Sequence, residues 1–333
     1  MARRGDAGRA GARMVSLCTG AFVLAAVGLL EPGSLFVSGT GGHRYHMGSP
    51  QADGTAVPTR SMEFDEWFSD VPRHYAGDGD VLISHLFAVQ SSVFPEGEAY
   101  FIRSVRSVRS RITESRLQEA VDGFIGQESM HGLEHRAFNE HLATLGYPTR
   151  PIDTYIRGLT RLRERFLSET MNVAIVAALE HYTATLARTV LADAEARAAL
   201  GHRAVRYLMV WHALEELEHK AVAFDVYRAL EGTERMRVTA MWLVHVNFVL
   251  ETGIWTLVSL ARDPSVRRHP GRLARNLWAL RRSPFISVDA LRRLSSYHRR
   301  GFHPDECDDT ELIGAWRTEL FGVDGALFDL RRS

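Results

Sequence analysis

The feature that most constrains this chain is an ordered series of donors: Glu98, then Glu128 with His131, then Glu180, then Glu216 with His219. Each Glu-x-x-His pair has the i, i+3 spacing that puts both side chains on one face of a helix. The turns around the single glutamates are apolar or small, with Phe101, Ile102 and Val105 beside Glu98, and Val176, Thr183, Ala184 and Ala187 beside Glu180. These carboxylates are therefore expected to face a helical interior. Two ionised carboxylates about 4 Å apart repel by about 4 kcal/mol at an effective dielectric of about 20, and four repel more. Two divalent cations cancel four negative charges, and neutral imidazoles complete the coordination.

One Glu from each of two helices, joined by Glu-x-x-His from two others, is the donor set of dinuclear carboxylate bundles. The expected fold is all-α, a ferritin-like four-helix bundle with additional C-terminal helices, holding two metal ions. Hard oxygen donors favour iron, with manganese and zinc as alternatives. A lone Glu-x-x-His is usually a solvated helix-surface pair, so the weight lies on its repetition with two spaced glutamates. His212, one turn before Glu216 on the same face, is a candidate third histidine ligand; His135, one turn beyond His131, is its rival. Glu134, His181 and Glu218 adjoin the candidates and are expected to be surface pairs or partners of the ligands. Asp225 is expected to pair with a neighbouring Arg. His131 to His135 also reads His-x-x-Glu-His, a zinc protease pattern with Glu134 as base and Glu215 or Glu216 as a further ligand. That reading leaves Glu98, Glu128 and Glu180 without a role.

The spacing of apolar residues predicts helices from Asp80 to Ser91, with a restart at Pro95 carrying on to Arg109, then from Ser115 to Leu145, Tyr155 to Leu191, His202 to Leu230 and Glu234 to Ala261. Gly146 and Pro148 suit the end of the second of these. Pro264, Pro270 and Pro284 divide the remainder into short helices, the last from Thr310 to Phe321. The expected division is a leader over 1–60, a di-metal domain over 61–265, and short helices over 266–333 that pack on the bundle. His245, Asn247 and Glu251 mark the apolar 241–261 stretch as buried or pocket-lining rather than membrane-spanning, with Trp242 and Trp255 in the core.

With 40 basic and 40 acidic residues, the chain has no net field to gather nucleic acid. Cys18 and Cys307 are isolated, so a metal has to be held by His, Glu or Asp. Arg3, Arg4, Arg9 and Arg13 precede an apolar run at 14–30, the outline of a signal peptide or short membrane anchor, or of a non-native extension. Localisation is accordingly cytoplasmic or anchored through that run.

Phe-Pro-Glu-Gly-Glu at 94–98, Phe-Ile-Gly-Gln-Glu-Ser-Met-His-Gly at 124–132, Ala-Leu-Glu-His-Tyr-Thr-Ala at 178–184, the run from Trp211 to Tyr227, and Gly-Phe-His-Pro at 301–304 resemble the bacterial family called predicted metal-dependent hydrolases. The resemblance covers most of 62–320 and leaves out the leader. The ligand pattern alone also resembles the di-iron arylamine N-oxygenases, whose fourth ligand helix carries His-x-x-x-Glu-x-x-His, and this favours His212 over His135. Three functions fit the donor set. The first is O2-dependent oxidation of a small organic substrate by a di-iron centre. The second, implied by the family resemblance, is hydrolysis by a metal-bridging hydroxide. The third is a metal-binding or storage bundle without turnover. A small-molecule substrate, hydrophobic if the apolar fifth helix meets it, and a homodimer accompany the enzyme readings; a shell-forming oligomer accompanies the store.

Overall fold

In the computed structural model the described residues are 57–330, and every regular element among them is helical. The leader or anchor, its apolar run and Cys18 fall on residues 1–56, outside the described residues. The helices are α1 (Asp65–Phe68), α2 (Val81–Val108), α3 (Ser115–Thr144), α4 (Thr149–Phe166), α5 (Glu169–Ala192), α6 (Ala194–Ala199) and α7 (Arg203–His219). They continue with α8 (Val222–Ala229), α9 (Glu234–Arg262), α10 (Pro264–Arg268), α11 (Pro270–Ala279), α12 (Val288–Ser296) and α13 (Thr310–Phe321).

Four long helices close on one another: α2 packs on α3 and α5, α5 on α7, and α7 on α3. Helix α4 lies along α2, and α9 lies along α5 and α2. The two largest apolar clusters among the described residues flank the centre of the bundle. One gathers Phe101, Val105, Phe124, Val176 and Tyr227, and the other gathers Phe64, Phe138, Leu191, Leu208 and Trp211. Along α2 and α3 the candidate ligands fall between the stretches belonging to the two clusters, and on α5 Glu180 lies within the last turn of the first cluster's stretch, ahead of Ala184 of the second.

Three helix boundaries differ from the sequence expectation. Helix α2 does not restart at Pro95 but runs through it. Proline removes the N–H that the Ser91 carbonyl would accept. Asn139 Nδ2 of α3 donates to that carbonyl at 2.7 Å instead, so a neighbouring helix satisfies the break. The expected Tyr155–Leu191 helix is two helices. Leu167 and Ser168 leave helical geometry, and the Ser168 hydroxyl caps α5 by accepting from Met171 N. The expected His202–Leu230 helix also divides just after His219, and the turn aims Val222, Phe224, Val226 and Tyr227 of α8 into the first apolar cluster.

Helix α9 is long and apolar enough to cross a membrane by length and composition, yet Ala240, Met241 and Val244 pack into the core. Its other face carries exposed Leu243, Val246, Leu250 and Ile254. Trp242, expected in the core, is 43% exposed on that face; Trp255 is partly buried against Val89 and Ile152. The packing reaches back to Val57, which lies against the first cluster from inside the stretch assigned to the leader.

Candidate metal centre

Helix α2 supplies Glu98, α3 supplies Glu128 and His131, α5 supplies Glu180, and α7 supplies His212, Glu216 and His219; all are buried. Their donor atoms converge in overlapping triads: Glu98, His131 and His212; Glu128, Glu180 and His219; and Glu128, His131 and Glu216, with the atoms of each triad within 4.8 Å of one another. Glu128 and His131 each belong to two triads, so the seven side chains form one continuous cluster. Gly132 leaves room for it, since a Cβ there would lie 3.1 Å from Glu98 Oε2.

Both carboxylate oxygens of Glu98, Glu128 and Glu180, together with Glu216 Oε2, His131 Nδ1 and His219 Nε2, are buried without a hydrogen-bond partner. Buried polar atoms are ordinarily paired, and an unpaired group costs about 1–3 kcal/mol, more when charged. Inward lone pairs with no donor to meet them are what a cation requires. The residues present therefore fit a metal centre.

Electrostatics point the same way. Burial and then the Glu128 charge push the Glu98 carboxyl well above its usual range, and burial with Glu216 repulsion lifts Glu180 to about 8. Burial opposes charging His131, but the carboxylates of Glu128, at 3.9 Å, and Glu215, hydrogen-bonded at 3.0 Å, raise it to about 10. His219 is likewise raised against burial, by Glu180 and Glu128. Glu216 and Glu128 are held down, against burial, by the histidines beside them. Without ions, protons are the cluster's counter-charge.

His212 and His135 have different jobs. Because Asn139 Nδ2 donates to the Ser91 carbonyl, its Oδ1 faces the Ser91 hydroxyl and accepts from it at 2.8 Å. The hydroxyl oxygen then accepts from His135 Nδ1 at 2.9 Å, leaving His135 Nε2 to accept from His212 Nδ1 at 2.7 Å. Burial and the neighbouring imidazoles keep both rings on the neutral side. His212 Nε2 thus presents a lone pair toward Glu216 Oε1 at 2.8 Å, two acceptors facing each other. His135 stands behind His212 and shares no converging triad with His131 among the described residues. Glu134, the base of the zinc protease reading, instead accepts from Phe64 N at 3.0 Å.

The outward nitrogens of the two Glu-x-x-His imidazoles are also held. His131 Nε2 donates to Glu215 Oε2 at 3.0 Å, and His219 Nδ1 donates to Gln127 Oε1 at 2.8 Å. Gln127 Nε2 donates to Glu218 Oε2, and Arg60 bonds both Glu218 and Glu215 at 2.7–2.8 Å. Sequence reading gave Glu218 a choice between surface pair and ligand partner and offered no role for Gln127 or Arg60. The crowding of acids in Glu-Glu-Leu-Glu was a signal for Glu215 and Glu218; Arg60 had none. His181 does not touch the cluster. It donates to the Arg293 carbonyl and, with Lys220, Arg188 and Cys307, walls a separate cavity of about 360 Å³. Asp225 pairs with His303 at 2.9 Å rather than with an Arg, because the loop before α13 brings that ring over α8. Aromatic rings surround the centre: Phe94 against His135 and His212, Trp211 against His131, and Phe124 against His219.

Comparison with known families finds one described as "Predicted metal-dependent hydrolase" matching residues 58–308. No curated protein and no solved structure matches.

Proposed function

The chain belongs to the family of predicted metal-dependent hydrolases, and from that premise we propose that it is a dinuclear metal hydrolase on a ferritin-like bundle, acting on a small ester, amide or phosphoester. The observation that carries the proposal is the set of buried carboxylate oxygens and imidazole nitrogens that converge without donors. Glu98, His131 and His212 would hold one ion and Glu128, Glu180 and His219 the other, with Glu216 converging on Glu128 and His131. Bound divalent ions supply Lewis acidity toward a carbonyl or phosphoryl oxygen and acidify water.

The chain's own groups do the rest. His212 is kept neutral with its Nε2 lone pair inward by the Ser91–His135 hydrogen bonds. Glu180, raised to about 8, holds a proton near neutrality until a cation takes its place. Phe94, Trp211 and Phe124 exclude bulk water, which strengthens every electrostatic interaction inside.

The test is turnover of ester, amide and phosphoester panels by the full chain reconstituted with iron, manganese or zinc under argon. Metal-dependent turnover without oxygen is expected. No turnover with any metal, alongside oxygen uptake by the ferrous protein, would replace hydrolysis with oxidation of a small organic substrate. The third histidine, His212, supports that second reading, because it adds a neutral nitrogen donor to the carboxylate set.

A further inference from the structure

We propose that the 57–60 segment is a strap that positions both Glu-x-x-His imidazoles, with Arg60 as its working residue; this rests on the reading that the buried cluster holds metal. The strap lies on a bare track of α3. A Cβ at Gly123 would come within 2.4 Å of the Val57 carbonyl oxygen, and one at Gly126 within 2.0 Å of Thr59 Oγ1. The Pro58 carbonyl accepts from Gln127 Nε2 at 3.0 Å.

From this seat the buried Arg60 guanidinium reaches inward. Its Nη1 bonds Glu215 Oε1 at 2.8 Å and Glu218 Oε2 at 2.7 Å, its Nη2 bonds Glu218 Oε1 at 2.7 Å, and its central carbon lies over the Phe321 ring, 4.9 Å from the centroid. A planar fork suits this task in a way an ammonium does not. Holding Glu215 Oε1 leaves Oε2 for His131, which fixes that ring with Nε2 protonated and Nδ1 bare toward the cluster. Holding Glu218, together with the Pro58 carbonyl, claims the Gln127 amide nitrogen. Gln127 Oε1 is thereby turned to His219 Nδ1, and His219 Nε2 faces the cluster. One strap therefore sets the donor atom of a histidine on each of two helices, α3 and α7. Arg60 is a positioning residue: it touches neither the cluster nor anything bound there.

The experiment is a Co(II) titration of the full-length protein, reading affinity and the visible d–d spectrum, with circular dichroism melts as the fold control. R60Q is expected to weaken Co(II) binding by about 10–100-fold and to change the spectrum, because the imidazoles lose their fixed orientation. G126A displaces the strap without removing any charged side chain, and alanine is a better helix former than glycine. It is expected to give the same weakening, and the further change T59G, which removes the clashing side chain, is expected to restore affinity. Wild-type affinity and spectrum in both R60Q and G126A would overturn the strap's role, as would a G126A loss that T59G does not relieve. A wild-type protein that takes up no Co(II) would instead bring down the metal reading itself.

Discussion

Glu180 and His131 show what the buried cluster demands of single residues. Glu180 holds its proton up to about 8 in the fold, against 4.5 for an ordinary glutamate, so between those values the native state binds a proton the unfolded chain has released. Stability of the ion-free protein therefore falls as pH rises through that window. His131, at about 10 against 6.5, adds stability that is whole below 6.5 and is lost as pH rises through 10. Both effects have the same sign. Ion-free protein in chelator should melt at progressively lower temperature from pH 6.5 to 10, and metal binding should release protons and tighten over that range. E180Q removes one acid, so its ion-free melting curve should fall less steeply with pH while its metal affinity drops. A variant as pH-sensitive as wild type would contradict this assignment. The seven candidate ligands were legible in the sequence because helical spacing is local and their neighbours are apolar. Gln127 and Arg60 were not, because their role is defined by what they touch across the bundle.

Pro95 is the clearest case at the scale of the element. A proline inside a helix strands the carbonyl four residues earlier, and here Asn139 of α3 takes it up. That exchange aligns Asn139, Ser91, His135 and His212 in one chain of hydrogen bonds, so a backbone irregularity in α2 dictates which nitrogen His212 offers. N139A should destabilise the protein by about 1–3 kcal/mol in urea unfolding, since it orphans a buried carbonyl. P95A returns an N–H to that carbonyl, and the double variant should recover part of the loss. Additive losses would mean that the carbonyl is satisfied otherwise. Sequence reading placed a helix boundary at this proline because the rescuing side chain lies on another helix.

Across the whole molecule, the polar centre sits between two apolar clusters that share α2, α3 and α5. Neither cluster can shift without moving a donor, and the acids between them repel until a cation or proton intervenes. Ligands that bind only the folded state stabilise it by mass action, by about 2.7 kcal/mol at a hundredfold excess over Kd. Chelation should therefore lower the melting temperature, and returning iron, manganese or zinc should restore it. An unchanged melt on both steps would mean that these carboxylates are held by packing alone.

Helix content, the order of the ligand helices and the inward face of each were determined by the sequence itself, since i, i+3 and i, i+4 spacing acts within one segment. Tertiary structure alone decided that Pro95 stays helical, that α4 and α7 end where they do, that Trp242 faces outward, and that His135 supports His212. It also decided the place of Arg60, which meets Glu215 from 155 residues away. The physical reason is reach: a helix face is written in nearest neighbours, whereas a buried charge or a stranded carbonyl is satisfied by whichever distant side chain the packing delivers.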